Sequence, residues 1–169
     1  MPNAYIFSGL SGVGKTTLAK LLTKTTQNTI YYRIDTIEYY LKKEYLSIEL
    51  TKQGYELAYF QAKENLELGN DIIIDCCNPV NESRELWNKL SNINSTKVIN
   101  IKVVCSDKQI HQNRVEIRYK SNTNKYPTWQ TVLDKDYQPW KESIITIDTA
   151  NTDIIESLNI LKNELKVYK

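Results

Sequence analysis

Short apolar runs alternate along the chain with longer amphipathic segments, and the apolar runs have the length of β-strands. Their continuous apolar character is typical of strands covered on both faces. They occupy residues 4–7, 29–34, 71–75, 97–104 and 143–148. Helical spacing is found at residues 15–25, 36–46, 54–68, 81–90, 107–119, 127–137 and 152–166. This alternation predicts an α/β fold in which a five-stranded parallel sheet has helices on both faces.

Residues with strong positional preferences indicate where two of these helices begin. Asn81 or Ser83 is expected to cap the helix at 81–90, because either side chain can accept a hydrogen bond from a free backbone N–H. Pro127 is expected in the first turn of the helix at 127–137, where its missing N–H has no partner to lose.

The loop after the first strand has the spacing of a phosphate-binding loop. Its sequence GLSGVGKT, at residues 9–16, matches the pattern G-x-x-x-x-G-K-[ST] between a predicted strand and a predicted helix. Glycines let such a loop turn its N–H groups towards a phosphate, which also lies at the positive end of the helix dipole. Lys15 would neutralise the outer phosphates, and Thr16 would offer a hydroxyl to Mg²⁺. The residues expected to bind a nucleoside triphosphate are Gly9, Leu10, Ser11, Gly12, Val13, Gly14, Lys15, Thr16 and Thr17.

Polar residues follow the ends of other predicted strands, and parallel strands bring these ends to one edge of the sheet. Asp75 comes directly after a run of isoleucines and is expected to hold Mg²⁺ together with Thr16. The alternative for Asp75 is a carboxylate that only caps a helix or a turn. Arg33, Asp35 and Asn78 lie at the second and third strand ends, and we expect them to contact an acceptor substrate.

Asp35 is the candidate general base. A carboxylate at the end of the second strand would face the space beyond the γ-phosphate, where it could orient an acceptor hydroxyl and take its proton. The alternative is structural, because Asp35 and Glu38 have the spacing of a capping box for a helix that begins at Thr36. We favour catalysis over capping.

Two arginines on the helix at 107–119 are candidates for stabilising a transferred phosphoryl group. Arg114 and Arg118 lie four residues apart, and therefore on one helix face. The polar stretch KSNTNKYP follows, so we expect a lid at about residues 112–127 that closes over ATP and excludes water. The alternative is a pair of solvated surface arginines. A lone helical histidine is more often structural, so His111 is left out of the catalytic set.

Four tyrosines near the predicted acceptor side fall at helical spacing, namely Tyr39, Tyr40, Tyr55 and Tyr59. They could stack on a base or a sugar ring. Spacing of this kind more often marks a helix face that packs in the core, and we expect these tyrosines to be core residues.

The bulk composition narrows the class of protein. A chain of 169 residues can form one domain with its own core, and we expect a single kinase domain over residues 1–169. The net charge of +2 provides no broad basic surface, which favours a small acceptor over a nucleic acid. The odd cysteine count argues against a disulfide framework, so Cys76, Cys77 and Cys105 are expected to be small buried residues in a reducing cytoplasm. We find no apolar run of membrane-spanning length, and we expect no signal peptide because the predicted first strand begins at residue 4.

Several stretches together resemble the small P-loop kinases of the nucleoside and nucleotide kinase-like group, above all the single-domain bacterial proteins labelled AAA-family ATPases or predicted kinases. The stretches are FSGLSGVGKTTLAK, RIDTIE, GYELAYFQAKENLELGNDIIIDCCNP, HQNRVEIR, PTWQTVLDKDYQPW and IDTAN. The resemblance implies a P-loop NTPase fold with an arginine-bearing lid. It also implies an adenine pocket that includes Thr149 and Ala150, and it places Asp35 where polynucleotide 5′-kinases have their acceptor-side aspartate.

The chain departs from some of these relatives on the acceptor side. Adenylylsulfate kinases carry Asp-Gly-Asp-Asn after the second strand, whereas this chain has Arg-Ile-Asp-Thr at 33–36. Many relatives also carry an arginine three residues after the aspartate, and here that residue is Glu38. Either Arg33 does the work of that arginine, or the acceptor carries less negative charge.

These observations favour a kinase that uses ATP and Mg²⁺ and phosphorylates a hydroxyl of a small molecule or nucleotide. Its expected catalytic residues are Lys15, Asp35, Arg114 and Arg118. The alternatives are a 5′-hydroxyl kinase acting on RNA or DNA, an adenylylsulfate-kinase-like enzyme and a non-catalytic ATP-binding switch. A GTPase is not favoured, because the Asn-Lys-Tyr-Pro at 124–127 is not the guanine-reading Asn-Lys-x-Asp.

Overall fold

A computed structural model describes residues 1–45 and 52–167. The strands are Asn3–Ser8 (β1), Thr29–Arg33 (β2), Asp71–Asp75 (β3), Lys97–Val104 (β4) and Ile145–Asp148 (β5). The α-helices are Lys15–Thr25 (α1), Ile34–Glu44 (α2), Gln53–Glu67 (α3), Asn81–Asn88 (α4), Lys108–Ser121 (α5), Trp129–Leu133 (α6) and Ile154–Lys166 (α7). A short 3₁₀ helix, Lys89–Asn92, follows α4. None of the helices in the described ranges combines the length and apolar character that crossing a membrane requires.

The five strands form one parallel sheet in the order β2-β3-β1-β4-β5. The central strand β1 pairs Phe7 with Asp75 on one side and with Ile101 on the other. Arg33 pairs with Asp75 in turn, so three adjacent strands end together. The predicted α/β fold with a five-stranded parallel sheet is confirmed. The phosphate loop, Asp75 and Arg33 consequently lie on one edge of the sheet.

The sheet has a core on each face, because successive side chains of a strand point to opposite sides. Tyr5 and Phe7 of β1 belong to the core that includes the buried leucines of α1 and α7. Ala4 and Ile6 belong to the core formed with α3 and with Trp87 of α4. Helices therefore cover both faces of the sheet, as predicted.

The helix α2 begins at Ile34, two residues before the predicted start at Thr36. Its N-cap is Arg33, and no side chain caps the helix. Ile34 is 1% exposed in the core beside α3, and this burial fixes where the helix starts. The alternative of a capping box at Asp35 and Glu38 is therefore wrong. The predicted end of this helix at residue 46 lies outside the described residues.

The start of α4 at Asn81 is confirmed, but its predicted cap is wrong, and so is the predicted start of α6. The N-cap of α4 is Val80 without a side-chain hydrogen bond, and the Ser83 hydroxyl donates to the Val80 carbonyl at 2.8 Å. The N-cap of α6 is Thr128, whose side chain accepts from the backbone N–H of Thr131, so Pro127 precedes the helix. A hydroxyl that satisfies a free N–H displaces the proline from the first turn.

Arg84, in α4, is buried but forms no ion pair with a carboxylate in the described part of the chain. Its guanidinium donates to the carbonyl oxygens of Pro79, Gln138 and Pro139 at 3.0, 2.6 and 3.0 Å. It also stacks over the ring of Trp140 at 4.1 Å. These hydrogen bonds of Arg84 connect the chain that follows α6 to the loop after β3.

Candidate active site

The phosphate loop passes so close to two neighbouring elements that side chains would not fit at two of its glycines. A Cβ at Gly9, whose φ is 148°, would collide with the carbonyl oxygen of Val103 in β4. A Cβ at Gly12, whose φ is 88°, would lie 2.6 Å from a methyl carbon of Val115 in α5. The loop is therefore held against both β4 and α5, with its open side at the N-terminus of α1.

A cavity of about 470 Å³ lies on that open side, between the loop, α5 and the start of α7. Its volume is within the range of small-molecule sites. The predicted site residues that line it are Gly12, Gly14, Lys15, Thr16, Thr17, Arg33, Arg114, Arg118 and Thr149. Residues of the lining that the sequence analysis missed are Lys20, Tyr126, Thr152, Ile154 and Ser157.

Five predicted nucleotide ligands do not line the cavity, namely Gly9, Leu10, Ser11, Val13 and Ala150. Leu10 and Val13 instead pack with the core under α1. The Ala150 N–H donates to the Asp148 carboxylate at 3.0 Å, which holds the loop after β5 in place.

Lys15 is buried, with 6% of its surface exposed, and it lines the cavity. No carboxylate of the described residues forms an ion pair with it. A buried ammonium without a carboxylate partner is unfavourable unless an anion reaches it. The cavity is therefore suited to an anionic ligand such as a polyphosphate.

Asp75 is almost fully buried and is held by one hydrogen bond and one ion pair. Its Oδ2 accepts a hydrogen bond from the Tyr31 hydroxyl at 2.7 Å and lies 3.5 Å from Nε of Arg33. Its Oδ1 accepts no hydrogen bond from any described residue. This arrangement leaves one carboxylate oxygen available for a further ligand.

The donor set fits Mg²⁺ bound together with phosphates. Thr16 offers a hydroxyl and Asp75 a carboxylate oxygen, and Mg²⁺ prefers ligands of this kind. In the described ranges no group of three or more histidine, cysteine or acidic side chains could hold a metal by itself. Phosphate oxygens would therefore have to complete the coordination.

Tyr31 was not identified from the sequence as a site residue. Burial, followed by the charge and the hydrogen bond of Asp75, raises the pKa of Tyr31 far above that of an ordinary tyrosine. Tyr31 therefore remains a neutral donor that orients the Asp75 carboxyl group. Only its place in a strand beside Asp75 could have indicated this role.

Asp35 is the second residue of α2, and its side chain is 51% exposed. Nη2 of Arg33 lies 3.2 Å from its Oδ2, and the same guanidinium reaches Asp75. Arg33 thus links the candidate base to the candidate magnesium ligand. The catalytic role of Asp35 stays a prediction.

Glu38 and Cys77 are half-buried near Asp35. Burial, followed by the charge of Asp35, raises the pKa of Glu38, while Lys42 and Lys135 oppose the rise. Burial also raises the pKa of Cys77, which Lys15 and Lys135 counteract. The expectation of buried cysteines is confirmed for Cys76 and Cys105 but is wrong for Cys77.

Asn78 is fully buried, with a φ of 51°. Its Nδ2 donates to the Ser8 hydroxyl at 3.0 Å, and its Oδ1 accepts from the Ser83 hydroxyl at 2.8 Å. Its backbone N–H donates to the Tyr55 hydroxyl at 3.0 Å. The expected contact with an acceptor is unsupported, because Asn78 joins β1, α3 and α4 instead.

Arg114 and Arg118 both line the cavity from α5, in agreement with their predicted shared face. Arg114 donates to the hydroxyl and the carbonyl of Thr149 at 2.8 and 2.9 Å. Arg118 lies over the ring of Tyr126 at 4.6 Å. Arg114 is therefore fixed by Thr149, just after β5, whereas Arg118 is held by the turn that follows α5.

His111 anchors α5 on the phosphate loop. Its Nε2 lies 2.7 Å from the Ser11 carbonyl oxygen, and its ring meets that of Trp129 edge-on at 5.1 Å. The side chain is buried, which agrees with the structural role expected for it.

The four tyrosines of α2 and α3 divide into two pairs. Tyr55 and Tyr59 pack against the core, as expected. Tyr39 and Tyr40 are 39% and 54% exposed, so the expectation of core residues is wrong for them. Nζ of Lys125, after α5, lies 5.2 Å from the ring centroid of Tyr39. The turn after α5 therefore touches α2.

No protein-family model matches the sequence, and no curated protein matches it either. Solved structures do match. A sugar kinase from Janibacter sp. HTCC2649 has a TM-score of 0.70 at 16% identity, over 98% of this chain and 95% of that chain. The Mycobacterium tuberculosis APS kinase CysC in complex with AMPPNP and APS gives 0.67 at 17% identity, over 98% of each chain.

Chaetomium thermophilum Kti12 in complex with ADP-AlF3 is also similar, with a TM-score of 0.70 at 16% identity over 96% of this chain and 97% of that chain. Identities this low establish a shared fold and nothing finer. Together with the parallel sheet and the loop at residues 9–16, they show that this chain has the P-loop NTPase fold found in these kinase structures.

Proposed function

We propose that the protein is a kinase that transfers the γ-phosphoryl group of ATP to a hydroxyl group of a small molecule or nucleotide. The observation that carries this proposal is the position of Asp35. Its carboxylate is half-exposed, caps no helix, and is tied through Arg33 to Asp75. A protein that only bound ATP would need no carboxylate beyond the phosphates, whereas a phosphotransferase needs a group that orients the acceptor.

The residues around the cavity can bind and neutralise a triphosphate. Lys15 and the N–H groups at the start of α1 would hold the outer phosphates. Arg114 and Arg118 would stabilise the negative charge on the transferred group. Mg²⁺, held by Thr16 and Asp75 together with the phosphates, would supply further neutralisation of that charge. The AMPPNP and ADP-AlF3 bound to two of the similar structures support a nucleotide in this cavity.

The transfer itself needs little covalent chemistry from the protein. The acceptor oxygen forms a bond to the γ-phosphorus as the bond from that phosphorus to the β–γ bridging oxygen breaks. ADP leaves with the bridging oxygen, and the acceptor proton passes to the Asp35 carboxylate. Arg33, whose Nη2 lies 3.2 Å from Oδ2 of Asp35, would hold that carboxylate in position for the acceptor hydroxyl.

The test is phosphate transfer from γ-labelled ATP into a metabolite extract, with RNA and DNA oligonucleotides assayed in parallel. We expect Asp35→Asn to bind nucleotide normally but to lose transfer by about 10²- to 10⁴-fold, the usual contribution of a general base. Lys15→Ala is expected to lose ATP turnover altogether.

The matched control is Glu44→Gln, which removes an exposed carboxylate from the other end of α2 and should transfer at the wild-type rate. Transfer by Asp35→Asn at the wild-type rate would remove Asp35 from the mechanism. A labelled oligonucleotide, with binding that weakens steeply as salt rises, would identify a nucleic-acid kinase instead.

A further inference from the structure

Glu38 lies beside Asp35 on the acceptor side of α2. The two residues are three apart, so their side chains are neighbours on one helix face, with Cβ atoms about 5–6 Å apart. The Glu38 side chain lies against the backbone of α3 at Gly54. A Cβ at Gly54 would be 2.5 Å from Cγ and 3.1 Å from Oε1 of Glu38. The absence of a side chain at Gly54 therefore makes room for the glutamate.

The Glu38 carboxyl group has no hydrogen bond and no ion pair with any residue in the ranges 1–45 and 52–167. It is nevertheless only partly exposed. A partly buried carboxyl group loses hydration, and a bound partner would compensate for that loss. The missing partner is expected to be a hydrogen-bond donor, because an ionised carboxylate can only accept.

None of the nearby cations pairs directly with Glu38 in the described part of the chain. Arg33 is already paired with Asp35 and Asp75. Lys42 and Lys135 each lower the pKa of Glu38, but neither forms an ion pair with it. A phosphate or sulfate group placed next to the reacting hydroxyl would therefore meet two carboxylates. The guanidinium of Arg33 already pairs with Asp35 and Asp75, so it would not be free to pair with that anionic group.

We propose that Glu38 selects the acceptor by accepting a hydrogen bond from a second hydroxyl group, one or two carbons from the hydroxyl that faces Asp35. The acceptor is then a polyhydroxy compound with no anionic group beside the reacting hydroxyl. This inference rests on the proposed kinase function and narrows its substrate class. Glu38 would set specificity, and Asp35 would act on the reacting atom.

The first experiment separates a metabolite extract by anion exchange into a flow-through fraction and a bound anionic fraction. Each fraction is incubated with the protein and γ-labelled ATP, beside matched pairs such as glucose with glucose 6-phosphate and adenosine with 3′-AMP. We expect labelled product from the flow-through and from unphosphorylated members of the pairs. Product from the anionic fraction alone would overturn the inference and leave the kinase function intact. Label in neither fraction would overturn the kinase function and this inference with it.

Substitutions at Glu38 and Gly54 then test whether the glutamate sets specificity. Glu38→Gln should raise KM for the acceptor about tenfold and leave KM for ATP unchanged, because a hydrogen bond to a charged group becomes one to a neutral group. Glu38→Arg should shift the preference towards the phosphorylated member of each pair. Gly54→Ala should resemble Glu38→Gln, because the added methyl group moves the glutamate without removing its charge.

Glu44→Gln, an exposed change on the same helix, is the control and should behave as wild type. If Glu38 had a purely structural role, its substitution would change KM for ATP and KM for the acceptor together. An unchanged acceptor KM in both Glu38→Gln and Gly54→Ala would overturn the inference even if Glu38→Arg fails to fold.

Discussion

At the scale of single residues, the hydrogen bond from Tyr31 to Asp75 is open to direct test. We expect Tyr31→Phe to lower the free energy of unfolding by about 1.5–3 kcal/mol, because a buried carboxylate loses a donor. Under the proposed function, Tyr31→Phe would also need a higher Mg²⁺ concentration for half-maximal transfer. Urea unfolding and a magnesium titration measure the two effects. Tyr40→Phe is the control, since that ring is exposed, and equal stability of the two variants would contradict the prediction.

Glu38 should reduce stability at neutral pH. Burial and the charge of Asp35 raise its pKa in the folded chain. The folded state therefore binds the proton more tightly than the unfolded state, and the stability gained from this is lost as pH rises through the raised pKa. A glutamine carries no such charge.

We therefore expect Glu38→Gln to melt at a higher temperature than wild type at pH 7, with the difference fading below the ordinary glutamate pKa of 4.5. Thermal unfolding followed across this pH range measures the effect. A lower melting temperature for Glu38→Gln at pH 7 would show that the ionised carboxylate is stabilised by a contact within the protein.

Single residues differed in how far the sequence could predict them. The phosphate loop is recognisable because its spacing is local, and most of its predicted residues from Gly12 onward line the cavity. Tyr31 and Asp75 are 44 residues apart, and only strand pairing brings them together. The far wall of the cavity, at Thr152, Ile154 and Ser157, depends in the same way on where α7 packs.

At the scale of elements, the apolar runs predicted every strand of the described sheet. Burial of both faces accounts for this in β1 and β3, whereas no residue of the edge strand β2 is fully buried. Helix starts were less predictable. The spacing of Asp35 and Glu38 resembles a capping box, yet α2 begins at Ile34 because that side chain is buried. Capping preferences are worth about 1 kcal/mol, and the burial of an isoleucine is worth more.

The contact between the turn after α5 and α2 bears on the predicted lid. Lys125 lies over Tyr39 of α2, and Tyr126 beneath Arg118 lines the cavity. If this turn closes the cavity, Lys125→Ala should increase ATP hydrolysis without acceptor by about two- to fivefold, the equivalent of one exposed cation–π contact. Phosphate release measures it, with the exposed Lys120→Ala as control. An unchanged rate would show that Lys125 does not hold the lid closed.

At the scale of the whole molecule, Arg84 connects parts of the chain more than 50 residues apart. Replacing it with methionine would leave several partly buried carbonyl oxygens without donors, and we expect a loss of about 3 kcal/mol in unfolding free energy. Arg84→Lys should not restore it, because one ammonium cannot reproduce the forked guanidinium contacts. Guanidinium chloride unfolding measures both variants, with Glu85→Gln on the exposed side of α4 as control. Wild-type stability in Arg84→Lys would show that charge alone suffices.

The central position of β1 has a consequence for how the chain acquires its shape during synthesis. β1 leaves the ribosome before the other strands, but its partners β3 and β4 begin only at Asp71 and Lys97, so it cannot pair until long stretches of chain have followed it. Thr149, which donates to the phosphate-loop carbonyl of Val13, arrives later still. Pairings this distant in sequence form slowly. The cavity to which the proposed function assigns a nucleotide is therefore complete only when the last strand is in place.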